Sequence, residues 1–443
     1  MNLRIKDLLL YVSFTAISVG SVFAQTTNNL NSNATLDELI QYALENKIEV
    51  KQSKLDQEIG EREIASALSG WFPQINASGN ISHFMQLPTA NIGGQTISMG
   101  QKNTSALTFQ ADQAIINPGL FQASKAAKYI RQQNNLSVED TKINTVVDVS
   151  KAYYDILTSE EQINIIQENI ARLNRQYTEA NARYETGLVD KTDYKRAQIS
   201  LNNANAELKS ALEFRKYKYD YLKSLLGMNP NNGLTLSFEN QNMESNVLMD
   251  TTEVLSYANR VEIKQLQTLK DIQKLNTQYQ KWQFLPRLGA FANYGLNYRN
   301  NSFADMYGDN FPQSSIGLSL TFPIFQGGKR VQEIKRSELL ESRIDMDIEN
   351  LENQIGAQYS AAMANYRSNI NEWRNAKENV DLSEEVYNTI KLQYDAGVKT
   401  YLELMTAETD LKTSQLNYLN SLYAVLSSKL DIQKALGSVN IAN

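Results

Sequence analysis

The chain follows one plan twice, and this duplication restricts its possible folds more than any other feature. Residues 35–227 and 252–437 carry matching landmarks in the same order. Ile48-Glu49-Val50-Lys51-Gln52 answers Val261-Glu262-Ile263-Lys264-Gln265, and Trp71-Phe72-Pro73 answers Phe284-Leu285-Pro286. Ile115-Ile116-Asn117-Pro118-Gly119 answers Ile324-Phe325-Gln326-Gly327-Gly328. Tyr184-Glu185-Thr186-Gly187 answers Tyr394-Asp395-Ala396-Gly397, and Leu226-Gly227 answers Leu436-Gly437 at the same offset. Units of this length are halves of a duplicated protein, not short solenoid repeats.

Proline placement divides each half. Prolines occur at 73, 88, 118, 230, 286, 312 and 323, so 119–229 and 324–443 contain none. Glycine is also absent from Leu120 to Thr186, and the matching run from 329 to 396 holds only Gly356. An unbroken helix over such a run is roughly 100 Å long, far beyond the three turns of an average globular helix. Ile156, Ile163, Ile170, Tyr177 and Tyr184 recur every seventh residue, as do Tyr366, Trp373, Val380, Tyr387 and Tyr394. Seven-residue spacing keeps one stripe facing a partner helix. The seam resumes after each glycine, at Tyr194, Ala197, Leu201 and Ala204, and at Leu404, Ala407, Leu411 and Ser414. Each half therefore holds a long helical hairpin that reverses at Gly187 or Gly397.

A different texture lies between the prolines. Ile75, Ala77, Gly79 and Ile81 alternate with Asn76, Ser78, Asn80 and Ser82, and Leu107, Phe109 and Ala111 alternate with Thr108, Gln110 and Asp112. Residues 287–298 and 315–324 alternate in the same way. Period-two strands of about ten residues, apolar on one side and polar on the other, have the pattern of membrane-spanning β-strands. Trp71, Phe72, Phe84, Tyr298 and Phe325 near the strand ends fit an aromatic girdle. The polar stretches 87–104 and 299–314 read as loops, and 228–251 as a linker with a short strand around Leu234, Leu236 and Phe238.

The remaining composition excludes more than it identifies. Arg4 and Lys6, an apolar run from Leu8 to Val22, and Val22-Phe23-Ala24 read as a secretory signal over 1–24. The net charge of −6 argues against nucleic acid as a partner. There is no cysteine, so stability comes from packing or association. His83 is the only histidine and reads as a strand-end residue. No triad or multi-histidine metal site can be built within one chain, and neither an enzyme nor a cofactor is expected.

Four strands per chain cannot close a barrel, because about eight is the practical minimum. Sheet edges exposed to lipid would leave backbone groups unpaired at several kcal/mol each. The strands must therefore join copies of themselves, and either two copies, with eight strands, or three, with twelve, would close the barrel.

The duplicated helix-strand-strand-helix-helix order, the Phe-Pro or Leu-Pro entry to each first strand and the two Tyr-x-x-Gly turns together resemble the TolC-like outer-membrane efflux protein family. The resemblance covers nearly all of the chain beyond the signal. It implies a mainly α fold with membrane β, in which a long coiled-coil helical tunnel continues a shared transmembrane β-barrel of twelve strands in a homotrimer. The corresponding division is 35–72 and 252–285 for the first helices of each half, and 73–117 and 286–326 for the strand pairs. Residues 118–227 and 327–437 are then the helical hairpins, with 228–251 between the halves. The implied role is an outer-membrane channel of a tripartite efflux or type I secretion system, with the helical part in the periplasm. The implied partners are a periplasmic adaptor protein, an inner-membrane pump and outer-membrane lipid. Carried over position by position, the periplasmic gate is Asp193, Tyr394, Lys399 and Glu403, and the adaptor-docking turns are Tyr184, Gly187, Leu188, Gly397 and Val398. Lys399 stands where the family usually has arginine, and Thr406 where some members have a second acid. A Lys399–Asp193 contact, within or between protomers, is expected to help hold the gate closed, and Asp190 and Thr400 are each expected to open a capping box. The competing reading, a structural coiled-coil or adhesin-like surface protein, explains the helices and the signal but not the strand pairs.

Overall fold

The computed structural model describes residues 33–187, 190–237, 240–250 and 252–441. The expected signal segment lies outside them. The first half contains α1 (Leu36–Asn46), α2 (Ile48–Leu68), β1 (Gln74–His83), β2 (Thr89–Ile92), β3 (Gln95–Ser98), β4 (Asn103–Ile116), α3 (Pro118–Glu185) and α4 (Lys191–Leu226). After a short α5 (Asn240–Ser245), the second half contains α6 (Val261–Trp282), β5 (Arg287–Asn300), β6 (Gln313–Thr321), α7 (Lys329–Asp395) and α8 (Tyr401–Leu436).

The two long helices have 68 and 67 residues, close to 100 Å each at about 1.5 Å per residue. Pro118 opens α3 in the first turn, where its missing N–H is not needed, and the Asn117 side chain caps Gly119 N. Packing supplies what propensity alone does not. Along α3 the seam residues Ile156, Ile163, Ile166, Leu173 and Ala180 are buried, and along α8 Leu404, Ala407 and Leu411 are buried. α3 pairs with α4, α7 pairs with α8, and α6 packs against both α3 and α7.

The largest core lies around the middle of the hairpins. Leu39, Val149, Ile156, Leu222, Leu226, Val425 and Leu426 join there with Leu236, Met243 and Val247 from the connecting segment. That segment is held by the Tyr366 hydroxyl, which donates to Val247 O at 2.9 Å and accepts from Met249 N–H at 3.1 Å. The short strand expected around Leu234 to Phe238 is only a single parallel bridge between Leu236 and Ala34. Phe238 itself lies outside the described residues.

The two halves close in the same way. Gly227 ends α4 at φ +70° and Gly437 ends α8 at φ +71°, the left-handed conformation that suits a helix C-terminus. At Gly227 an added Cβ would stand 2.5 Å from Asn46 O, and at Gly437 it would stand 2.9 Å from Asn259 O. Each outgoing helix therefore returns to the start of its own half, against the residues just before α2 or α6. In the second half this joint is reinforced by buried Arg260, which donates to Lys434 O and Ala435 O at 3.1 and 3.2 Å and to Glu262.

The strands form one antiparallel sheet in the order β1-β4-β5-β6. Register runs straight across it, so Gln74, Asp112, Phe291 and Gly317 share one level. β4 and β5 have 14 residues each, longer than the expected ten, and β6 stops at Thr321 rather than 324, just before Phe322-Pro323. Pro323 has no N–H to continue a ladder. The stretch 87–104 is not all loop, because β2 and β3 form a small separate hairpin there. His83 ends β1 and hydrogen-bonds Asn103 Oδ1 at 2.6 Å, while Asn103 Nδ2 donates to Asn300 O and Asn301 O.

One face of the sheet is apolar and bare. Ile75 is 75% exposed and Ile316 87% exposed, and Ile81, Leu318 and Leu320 are exposed beside them. Each such side chain left in water forgoes about 1.5–3 kcal/mol of burial. β1 and β6 are also open edges. Because the four strands alternate in direction, β6 of one chain can meet β1 of the next in antiparallel pairing. Trp71, just before β1, donates from Nε1 to Ser124 Oγ at 2.9 Å, and its ring packs on Phe121 at the start of α3.

Candidate functional site

The two hairpin turns lie at the ends of α3 and α7, and a compact cluster just behind them ties one hairpin to the other. Ala180 and Ala197 from the first hairpin pack with Tyr387, Tyr394, Tyr401, Leu404, Ala407 and Leu411 from the second. Alanine at the contact lets the helices approach closely while tyrosines fill the gap.

Both turns reverse on glycine. Gly187 has φ +74° and Gly397 φ +78°, and each N–H bonds back to the carbonyl of the tyrosine three residues earlier. The tyrosines then diverge. Tyr184 is exposed and stacks on Tyr194 at 5.7 Å, with Tyr177 on that ring as well. Tyr394 is buried, beneath the guanidinium of Arg183 at 5.1 Å. Burial raises the Tyr394 phenol above its ordinary pKa, and the charge of Asp193 adds to that rise. Tyr401, beside Tyr394, is pushed up to about 12, again mainly by burial, and its hydroxyl has no partner within the protomer. Val398 projects 74% exposed at its turn. Leu188 lies outside the described residues.

Within the protomer, the expected Lys399–Asp193 contact is not formed. Lys399 Nζ bonds Glu403 Oε1 at 2.6 Å, one helical turn along the same helix-to-helix corner. Glu403 Oε2 also accepts from Thr400 N–H and Thr400 Oγ1 at 2.9 and 3.0 Å, and Glu403 N–H donates to Thr400 Oγ1 at 3.3 Å. This is a complete capping box. The Lys399 bond, followed by those from Thr400, lowers the Glu403 pKa to about 2. The first turn is simpler than expected, because Asp190 caps Thr192 N–H and Asp193 does not reach back.

One residue of this region was missed at the sequence level. Glu408 is only 2% exposed. It accepts from Asn169 Nδ2 at 3.0 Å, Arg172 Nε at 3.1 Å and Gln176 Nε2 at 2.6 Å, so one carboxylate of α8 gathers three donors from α3. Burial raises its pKa, against the pull of those donors. A signal was present. Glu408 falls between Leu404 and Leu411 at helical spacing, so it lies on the buried seam, where an acid needs partners. Among the described residues there is no cluster that could hold a metal ion, and no helix is long and apolar enough to cross a membrane.

A sheet with one lipid-suited face and two open edges, continued by helical hairpins that end in reversing turns, defines a subunit of an oligomeric membrane channel. The model of the family described as "Outer membrane efflux protein" matches residues 39–228 and 255–438, one stretch for each half, and the chain belongs to that family. It is an outer-membrane channel protein of the efflux class. The outer membrane protein TolC of Escherichia coli K12 is 20% identical over 93% of this chain and 84% of its own length. The outer membrane efflux protein BepC of Brucella suis is 22% identical over 92% of this chain and 87% of its own. Among solved structures, the Campylobacter jejuni CmeC outer membrane channel superposes with a TM-score of 0.73 at 16% identity, covering 91% of this chain and 85% of that one. The Vibrio cholerae outer membrane protein VceC gives 0.71 at 15% identity over 91% and 96%.

Proposed function

We propose that the chain is the passive exit duct of a tripartite efflux or type I secretion assembly. Three copies pool their sheets into a twelve-stranded barrel in outer-membrane lipid, and their hairpins continue the duct into the periplasm. On this reading 73–117 and 286–326 build the barrel, 118–227 and 327–437 build the tunnel, and 228–251 links the two halves. A periplasmic adaptor docks at the turns around Tyr184, Gly187, Gly397 and Val398, and an inner-membrane pump supplies the energy. The chain performs no reaction of its own.

The observation that carries this reading is the pairing of a bare apolar sheet face with open edges on β1 and β6. A purely structural coiled-coil role leaves that face without a purpose.

The turn cluster is the proposed gate. Tyr394, Lys399 and Glu403 hold the corner of the second hairpin, and the charge of Asp193 in the first reaches Tyr394. Opening requires the hairpins to separate at this cluster. Single-channel conductance in planar bilayers tests it. The double variant Lys399→Ala, Tyr394→Phe should conduct more than the unaltered channel, whereas equal conductance would contradict a gate at these residues.

A further inference from the structure

The polar face of the sheet holds an unusual pair. Among the described residues, that face consists of amides, hydroxyls and small residues, apart from Arg287 and Arg299 towards the two ends of β5 and two residues further in. One of those two is Asp112, its only carboxylate, and the other is Phe291, its only aromatic ring. They are direct register partners across β4 and β5.

Both are held in place. Gln110 Nε2 donates to both carboxylate oxygens of Asp112, at 3.0 and 2.9 Å. Phe291 leans the other way, over Gly317 of β6, its register partner on that side. A Cβ at 317 would stand 2.7 Å from the ring Cζ and 2.9 Å from Cε1, so glycine leaves the space that the ring occupies. The strand pattern does not require an aromatic there. Aligning Pro286 with Pro73 puts Ser78 at the equivalent place in the first half, where the face stays polar. No ion pair engages Asp112 among the described residues. Gln110, Asp112, Asn117, Arg287, Phe291 and Thr321 line a depression of about 460 Å³ at the base of the sheet.

We propose that Asp112 and Phe291 form a subsite in the barrel lumen for organic cations that carry an aromatic or bulky apolar group beside the charge. The proposal rests on the barrel reading, under which the polar face lines the lumen. The carboxylate supplies the countercharge, and the ring offers its face to the cation or its apolar body. Low-dielectric walls strengthen both attractions. Repeated around a homotrimer, the pair gives a ring of such subsites where tunnel and barrel meet.

The test is block of single-channel current in planar bilayers by benzyltrimethylammonium and by tetramethylammonium, added from the barrel side. In the unaltered channel benzyltrimethylammonium should block about fivefold more tightly. Phe291→Leu keeps the volume and removes the π face, and should abolish that preference. Asp112→Asn should weaken block by both cations. Heat-modifiable trimers on gels show that each variant has assembled, and Phe291→Ala provides a second removal of the ring. Equal block by the two cations in the unaltered channel, or a preference unchanged in assembled Phe291→Leu, would overturn the subsite while leaving the duct intact. Failure of the unaltered protein to form any pore would overturn the duct and the subsite together.

Discussion

Gln176 Nε2 donates to Glu408 Oε2 across 2.6 Å, and that bond joins the first hairpin to the second. Arg172 and Asn169 complete the set, so breaking the junction strands several buried polar groups at once. Glu408→Ala should weaken the junction by about 3 kcal/mol and Glu408→Gln by about 1 kcal/mol. Hydrogen exchange of the α8 amides around Leu404 to Leu411 reads this locally, and unchanged protection in Glu408→Ala would contradict it.

The same carboxylate gives the junction a pH dependence. Burial raises the Glu408 pKa above its ordinary 4.5, so the folded state binds this proton more tightly than the unfolded state. Its contribution is therefore most favourable at low pH and declines as pH rises from about 4.5 through the raised value. Melting temperatures of the unaltered protein minus those of Glu408→Gln should fall over that window. A difference that rises with pH would reverse the assigned sign.

The four helix-ending glycines should separate into two classes. Gly187→Ala and Gly397→Ala face open space, so each should cost only the strain of a left-handed alanine, about 1 kcal/mol. Gly227→Ala and Gly437→Ala add a collision with the backbone at Asn46 or Asn259 and should cost at least about 3 kcal/mol. Thermal stability of the four assembled variants checks the ordering.

Much of this was legible because the signals are periodic. Heptads from Ile156 to Tyr184 and from Tyr366 to Tyr394 identify both hairpins, and strict alternation from Ile75 to Ile81 identifies a sheet with two unlike faces. What was not legible depends on contacts far apart in sequence. Lys399 had two acids within plausible reach, and the capping geometry of Thr400 places the nearer one, Glu403, against it. Glu408 gains its role only when α8 lies along α3. The contacts of Trp71 with Ser124 and Phe121 likewise join residues that the sequence separates. The β2–β3 hairpin escaped because four-residue strands around Gly93-Gly94 are too short for alternation to register.

The central claim is that the free edges of β1 and β6 are completed by neighbouring copies. The chain has no cysteine, so single pairs can be introduced without background. Ser78→Cys on β1 would be combined in turn with Ser315→Cys, Ser319→Cys or Thr321→Cys on β6, oxidised in membranes and resolved on denaturing gels. The account predicts that one register cross-links efficiently and that the ladder of products ends at three chains. Monomers in every combination, from protein present in the membrane fraction, would contradict it.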